Sequence, residues 1–205
     1  MTGKPLGLLP YLLIAAIMIG GYVWHLGTLK GALPAPSTVE VAPPDIGGPF
    51  SLVDQDGKRR TDKDFRGRFT LVFFGYTYCP DVCPTTLAVI SSALDKMGPN
   101  ADRVVPIFIS VDPKCDTPEV LKSYLSAFGT RFVGLTGTDK DVAVAAKDYK
   151  VYYKVHPEAD GNYSLDHSNV IYLMNPKGQF VANYTLETGP DAMAKDLNKR
   201  VSAAS

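Results

Sequence analysis

The chain has 205 residues, of which 45% are hydrophobic and 20% are charged, which suits one domain of ordinary size with an additional segment. Lysine plus arginine and aspartate plus glutamate each total 21, so the formal net charge is zero. Because there is no basic surplus to release counterions, we expect no nucleic-acid partner. Three cysteines are too few for a disulfide scaffold or for an iron–sulfur cluster held by four thiolates.

The N-terminal segment contains an uncharged apolar run, PLGLLPYLLIAAIMIGGYVW, at residues 5–24. A helix of this length reaches roughly 30 Å, the thickness of the hydrocarbon core of a bilayer. A cleaved signal peptide has a shorter apolar region and a small-residue cleavage site, and no clear site follows this run. We therefore favour an uncleaved anchor, with a short cytoplasmic tail over residues 1–5 and a transmembrane helix over residues 6–27.

A proline-rich segment over residues 28–45 lacks helical periodicity and is expected to form an extended spacer between the membrane and a domain. The short N-terminal tail makes a cytoplasmic N-terminus the simplest orientation, which leaves the domain outside the cytoplasm. The expected compartment is the bacterial periplasm or, as the topological equivalent, the mitochondrial intermembrane space.

The remaining chain, residues 46–203, predicts one α/β domain. In chain order, the patterns indicate a hairpin, a buried strand, a helix, a second buried strand, two helices, a second hairpin and a last helix. The buried strands are apolar runs at residues 69–76 and 104–111, and their spacing predicts a parallel pair with a right-handed crossover. With antiparallel strands from the closing hairpin, we expect a mixed central sheet flanked by helices.

Cys79 and Cys83 follow the first buried strand, where groups that carry chemistry collect in such sheets. Proline is favoured at the first helical position, so the next helix is expected to begin at Pro84, with Cys83 near its cap and Cys79 in the preceding loop. Helix-start N–H groups and the helix dipole favour thiolate over thiol. A static disulfide closing so small a loop stabilises little, so we expect a redox-active or metal-binding pair.

A metal site needs further ligands, and the chain has three histidines. His25 borders the apolar run and His156 lies in a polar stretch, where a solvated ring is the simplest interpretation. His167 stands immediately before a predicted buried strand that should begin near the cysteine loop. Asp166 is a candidate to orient the His167 ring, and Asp81 is a candidate fourth ligand that more simply faces solvent.

Two soft thiolates and one imidazole are typical ligands for Cu(I), and the imidazole allows Cu(II) as well. A structural zinc site requires a fourth ligand. The donor set therefore favours copper, in both Cu(I) and Cu(II) forms, as the bound metal.

Three motifs, YCPDVCPTTL, ISVDP with DTPE, and DHSNVIYLMNPKG, closely resemble the Sco/SenC family of membrane-anchored copper chaperones. The resemblance covers roughly residues 46–203 and implies a thioredoxin-like fold. It also implies copper binding by two motif cysteines and a histidine, which match Cys79, Cys83 and His167. The implied role is assembly of the dinuclear copper centre of cytochrome c oxidase subunit II, with a copper donor protein as a second partner.

One residue departs from the family pattern, because Cys115 stands where the family usually has a charged residue. The simpler interpretation is a partly buried free thiol, and the alternative is an off-pathway disulfide with Cys79 or Cys83.

The alternative function is a membrane-anchored thiol–disulfide oxidoreductase or redox sensor that uses the same cysteine pair. Thioredoxin-type oxidoreductases have a CxxC pair and a proline before the facing strand. This chain has CxxxC and no proline before the strand at residues 170–174, which favours metal binding over general disulfide exchange. Carrier and reductase activities can also be two steps of one protein.

Overall fold

The computed structural model describes residues 9–29, 45–157 and 163–204. The chain divides into two units, Met1–Ala42 and Pro43–Ser205. Helix α1 covers Leu9–Leu29 in the first unit. Across the described ranges, no helix has the length and apolar character needed to cross a membrane. The expected tail over residues 1–5 and most of the expected spacer lie outside the described residues, and the anchor stays a prediction.

In its described residues, the second unit contains a seven-stranded sheet, a separate two-stranded sheet and four α-helices. The strands are β1 (Ser51–Asp54), β2 (Arg59–Thr61), β3 (Phe69–Gly75), β4 (Val104–Ser110), β5 (Val133–Thr136), β6 (Tyr153–Pro157), β7 (Tyr163–His167), β8 (Ile171–Met174) and β9 (Phe180–Tyr184). The helices are α2 (Val82–Met97), α3 (Pro118–Ser126), α4 (Asp139–Asp148) and α5 (Gly189–Ala203). The large sheet has the order β2-β1-β5-β4-β3-β8-β9, and β6 pairs with β7.

Strands β3 and β4 form the centre of the core. Every residue of both strands is buried, because each strand is covered on both faces, as their continuous apolar runs predict. They pair in parallel, so Gly75 lies opposite Ser110 where both strands end. Strand β8 runs antiparallel to β3, and the sheet is therefore mixed and flanked by helices, as expected.

Threonine residues cap the N-termini of α3 and α4. Thr117 caps α3 by accepting a hydrogen bond from the Val120 N–H, and Thr138 accepts one from Asp141 at the start of α4. Helix α5 packs against α2 and buries Met193, Leu197 and Val201, which recur at helical spacing.

Two parts of the fold differ from the prediction. Helix α2 begins at Val82, after Asp81 as its N-cap, so the expected start at Pro84 is two residues late. Pro84 is tolerated as the third residue of α2 because the first four helical N–H groups have no intrahelical acceptor. Strand β5 and the β6–β7 hairpin were not predicted. Strand β5 has only four residues, one of them Gly134, and so short a run gives no clear periodic signal.

Candidate metal centre

The cysteine pair lies directly beyond the end of β3. Cys79 is half-buried in the connecting loop, and Cys83 is the second residue of α2 and is fully buried. Gly75 makes room for this arrangement. A Cβ atom on Gly75 would lie 2.6 Å from Cys83 Sγ and 2.9 Å from the Phe108 ring, so only glycine lets the sulfur pack against the strand backbone.

His167 reaches the same place from a different part of the chain. It is the last residue of β7, whereas the sequence indicated a position immediately before a buried strand, and β8 begins only at Ile171. The His167 Nε2 atom lies 3.3 Å from Cys83 Sγ. The hairpin therefore brings the imidazole to the buried sulfur.

Cys79, Cys83 and His167 together form a cluster with the composition of a metal site. One ligand atom from each lies within 4.8 Å of the other two. Within the described parts of the chain, this is the one group of three or more histidine, cysteine or acidic residues with such spacing. Two ligands are half-buried and one is buried, so the cluster lies at the edge of the core with access from solvent.

The rings of Phe73 and Tyr76 both pack edge-on against the His167 imidazole. Their centroids lie 6.0 Å and 5.8 Å from that of the imidazole, with interplanar angles of 67° and 89°. Edge-on packing of this kind restricts ring rotation. Phe73, Gly75 and Tyr76 were not predicted to contribute to the site, although all three lie near the end of the apolar run that predicted β3.

Hydrogen bonding favours one tautomer of His167. Its Nδ1 atom lies 3.2 Å from the backbone oxygen of Ser168, and because a carbonyl oxygen only accepts, this contact favours the ring with its proton on Nδ1. The Nε2 lone pair then faces Cys83. Burial lowers the pKa of His167 below its ordinary value of 6.5, which favours the neutral ring. Neutral imidazole is the form that binds metals.

The cysteine electrostatics correct one prediction. Burial raises the pKa of Cys83 well above its ordinary value of 9.0, and the nearby Cys79 sulfur adds to this effect. The expected thiolate-favouring effect of the helix start is therefore wrong for Cys83. Its backbone N–H donates to Cys79 Sγ at 3.4 Å, while its own sulfur lies in the apolar core. Metal binding at this site must therefore displace a proton from Cys83.

Neither acidic candidate joins the cluster in the structure. Asp81 is the exposed N-cap of α2 and contacts Thr85 Oγ1 at 3.4 Å. Asp166 is exposed and lies 2.8 Å from His156 Nε2 across the hairpin, rather than at the ring of His167. His156, which the sequence suggested was solvated, is thus half-exposed and paired with a carboxylate.

Cys115 lies in the loop after β4 and is exposed. Its sulfur is 2.9 Å from the Tyr163 hydroxyl, and it is not part of the cluster of three ligand atoms. The interpretation as a partly buried thiol is therefore wrong in its degree of burial. Among the described cysteines, all three are free.

Sequence comparison identifies the family to which this fold and cluster belong. A family model described as SCO1/SenC matches residues 39–202, about four fifths of the chain. The chain belongs to the SCO1/SenC family. The SCO1 homolog 1 of Arabidopsis thaliana, a mitochondrial protein, is 42% identical over 157 residues. That match covers 76% of this chain and 47% of the Arabidopsis protein, so the chain spans about half the length of this relative.

Solved structures of SCO1/SenC proteins share the fold. The copper-bound ScoI of Bradyrhizobium japonicum is 51% identical, with a TM-score of 0.71 over 75% of this chain and 98% of that chain. BsSco, described as a member of the Sco family of cytochrome c oxidase assembly proteins with a disulfide switch, is 25% identical. Its TM-score is 0.62, over 80% of this chain and 96% of that chain. The α/β architecture is therefore that of the family.

Proposed function

We propose that this protein binds one copper ion through Cys79, Cys83 and His167 and carries it to a partner protein. The observation that supports this most is the approach of the three ligand atoms to within 4.8 Å of one another. The copper-bound Bradyrhizobium relative, at 51% identity, supports the choice of metal.

The donor set fits copper on chemical grounds. Two thiolates satisfy Cu(I), which accepts two or three soft ligands, and the neutral Nε2 of His167 adds the ligand that Cu(II) needs. Structural zinc requires a fourth protein ligand, and the described residues contribute no carboxylate to the cluster. Asp81 and Asp166 are accordingly not part of the proposed ligand set.

The proposed acceptor is the dinuclear copper centre of cytochrome c oxidase subunit II, and a copper donor protein loads the site. Transfer proceeds by ligand exchange, in which thiolates of the partner replace those of this protein one at a time. Cys79, half-buried in a loop, is the more exposed of the two cysteine ligands and is therefore proposed as the first point of contact. The description of BsSco as a cytochrome c oxidase assembly protein supports this acceptor.

The location that fits this role is outside the cytoplasm, in the bacterial periplasm or the mitochondrial intermembrane space. Residues 6–27 are proposed as the anchor that holds the domain at the membrane. The Arabidopsis relative is a mitochondrial protein, which fits the intermembrane space, and ScoI comes from a bacterium, which fits the periplasm.

A second candidate is a thiol–disulfide reductase or redox sensor. The backbone N–H of Cys83 contacts the Cys79 sulfur at 3.4 Å, so the two cysteines are already close. In this reaction the two thiols reduce a disulfide in the partner, become a disulfide themselves, and pass on two electrons and two protons. The disulfide switch described for BsSco favours this candidate.

Metal analysis tests the copper proposal. The 205-residue chain, reduced and then incubated with Cu(I), Cu(II) or Zn(II), should retain one copper and little zinc after desalting. The double variant Cys79→Ser, Cys83→Ser should retain none, whereas Cys115→Ser should behave as wild type. Full copper retention by the double variant would reject the proposal.

A further inference from the structure

The loop between β4 and α3 contacts both parts of the chain that supply the ligands. One part is the loop that carries the cysteines, and the other is the β6–β7 hairpin that carries His167. The β4–α3 loop contains two buried acidic residues, Asp112 at 6% exposure and Asp116 at 0%. Buried carboxylates are costly unless they are hydrogen-bonded, so their partners indicate what this loop holds in place.

Asp116 binds the loop that carries the cysteines. Its two carboxylate oxygens accept hydrogen bonds from the Thr77 backbone N–H at 3.0 Å and from the Thr77 hydroxyl at 2.6 Å. Thr77 is two residues before Cys79 and lies between the end of β3 and the sulfurs. Both donors are on one residue, so the carboxylate restrains the backbone position and the side chain of Thr77 together.

Asp112 binds the hairpin that carries His167. The Tyr163 hydroxyl donates to Asp112 Oδ2 at 2.7 Å. Tyr163 is the first residue of β7 and His167 is the last. Since the phenol proton goes to the carboxylate, the phenol oxygen accepts from Cys115 Sγ, which lies 2.9 Å away. This contact orients one end of the strand whose other end carries the imidazole.

Ser110 joins the two aspartates into one network. Its hydroxyl donates to Asp116 Oδ2 at 2.5 Å and accepts from the Asp112 backbone N–H at 3.0 Å. The Asp116 N–H also donates to the Asp112 carbonyl at 2.9 Å. The two carboxylates are therefore held relative to each other, and through them so are Thr77 and Tyr163.

We propose that Asp112 and Asp116 are positioning residues for the metal site: Asp116 holds the cysteine loop, and Asp112, through Tyr163, holds the β6–β7 hairpin. Neither residue contacts the metal. Their joint effect is to set the position of His167 Nε2 relative to the two sulfurs. This proposal deepens the proposed copper function and rests on the same site.

The proposal predicts different effects from the two ends of the network. Loosening the hairpin end moves only His167, so it should weaken Cu(II), which depends on the imidazole, and leave Cu(I) bound by the two thiolates. Loosening the cysteine end moves the sulfurs, so it should weaken both ions. A purely structural role would lower the affinity for both ions equally from either end.

Tyr163→Phe in the full 205-residue chain tests the hairpin end, because it removes only the hydroxyl. We expect Cu(II) affinity to fall about three- to tenfold, as for loss of one hydrogen bond, and Cu(I) affinity to stay within about twofold. The thiolate-to-Cu(II) absorption band should also shift. Tyr152→Phe is the matched control, since Tyr152 precedes β6 with its side chain exposed, and it should change neither ion.

Asp116→Asn tests the cysteine end, and Thr77→Val serves if the buried substitution does not fold. Either variant should weaken Cu(I) and Cu(II) together by about three- to tenfold. A copper-free measurement tests the hairpin end independently of the metal. Amide hydrogen exchange in β7 should be faster in Tyr163→Phe than in wild type, and it should be unchanged in Tyr152→Phe.

The outcomes separate this proposal from the proposed function. Unchanged Cu(II) affinity in folded Tyr163→Phe, or equal loss of Cu(I) and Cu(II) affinity there, overturns the positioning role. If wild type binds no copper, the proposed function fails, and hydrogen exchange alone decides the positioning role. In that case, equal exchange of β7 in Tyr163→Phe and wild type overturns it, and faster exchange supports it.

Discussion

Cys83 Sγ and His167 Nε2 lie 3.3 Å apart, although 84 positions separate the two residues in the chain. The sulfur is buried at the start of α2, and the imidazole arrives on the β6–β7 hairpin. The site thus combines a local element, the cysteine pair, with a distant one. Because the two elements are separate, the contribution of the imidazole to copper affinity can be measured apart from that of the sulfurs.

Replacement of the imidazole should affect the two oxidation states differently. In His167→Ala, Cu(II) affinity should fall by at least about tenfold more than Cu(I) affinity, because two thiolates can hold Cu(I) without a third ligand. Competition titrations with chelators specific for each ion provide the measurement. His156→Ala is the matched control, since His156 lies on the same hairpin and pairs with Asp166 outside the cluster. Parallel losses for both ions would contradict the prediction.

Copper affinity should rise with pH. Burial holds the pKa of Cys83 above 9.0 and that of His167 below 6.5, so between these values the thiol is protonated and the imidazole is neutral. Copper must then displace the Cys83 proton, and each proton released raises affinity about tenfold per pH unit.

The measurement is Cu(I) affinity from pH 6.5 to pH 9, a range bounded by these two ordinary values. His167→Ala should keep the slope, because the ring carries no proton to release in this range. A pH-independent affinity in wild type would show that Cys83 is already a thiolate.

A methyl group at Gly75 should damage the site through Cys83. The Cβ atom of Gly75→Ala would approach Cys83 Sγ to 2.6 Å and the Phe108 ring to 2.9 Å, so the sulfur must move. We expect a loss of about 1–3 kcal/mol in the free energy of unfolding, as for other overpacked cores, together with weaker copper binding.

Gly134→Ala is the control for this substitution. Gly134 also lies in a strand, but away from the cluster, and a Cβ atom there would approach Leu125 Cδ1 to 2.5 Å. Gly134→Ala should lose comparable stability by chemical denaturation and keep wild-type copper affinity. Equal copper affinity in both variants would mean that Gly75 has no specific role at the site.

Copper and a Cys79–Cys83 disulfide should exclude each other, since metal binding requires thiolates that the disulfide lacks. Oxidation should release copper, and bound copper should slow oxidation. The expected reduction potential is roughly above −300 mV, higher than that of a structural disulfide.

A glutathione-buffered titration with and without copper, with free thiols counted by mass spectrometry, measures this coupling. It should be repeated in Cys115→Ser, because a mixed disulfide with the exposed Cys115 also displaces copper. Identical oxidation curves with and without copper would rule out the coupling.

The predicted anchor can be tested by topology. A reporter that is active only after export, fused after Ser205, should be active, and the chain should resist carbonate extraction. Deletion of residues 1–27 should abolish both properties. A reporter that is active in the cytoplasm would reject the orientation, and release of the full chain by carbonate would reject the anchor.

Much of the α/β domain was readable from local patterns. The apolar runs predicted β3 and β4 to within one residue at their ends, and α3 begins where a threonine cap is followed by proline, at Thr117 and Pro118. Strand β5 was missed because four residues give no periodicity. The β6–β7 hairpin was missed because Leu165 is the one buried residue of its two strands, which leaves no apolar alternation to indicate them.

The sequence by itself determined the chemistry available to this protein: two cysteines four positions apart after a buried strand, and a histidine of matching ligand type. Tertiary structure alone decided how that chemistry is arranged. The packed fold places His167 beside Cys83, pairs Asp166 with His156, and buries the Cys83 sulfur, so that desolvation raises the pKa of its thiol. Helix and strand patterns act over a few residues, whereas desolvation and hydrogen bonding depend on neighbours that only the packed fold brings together.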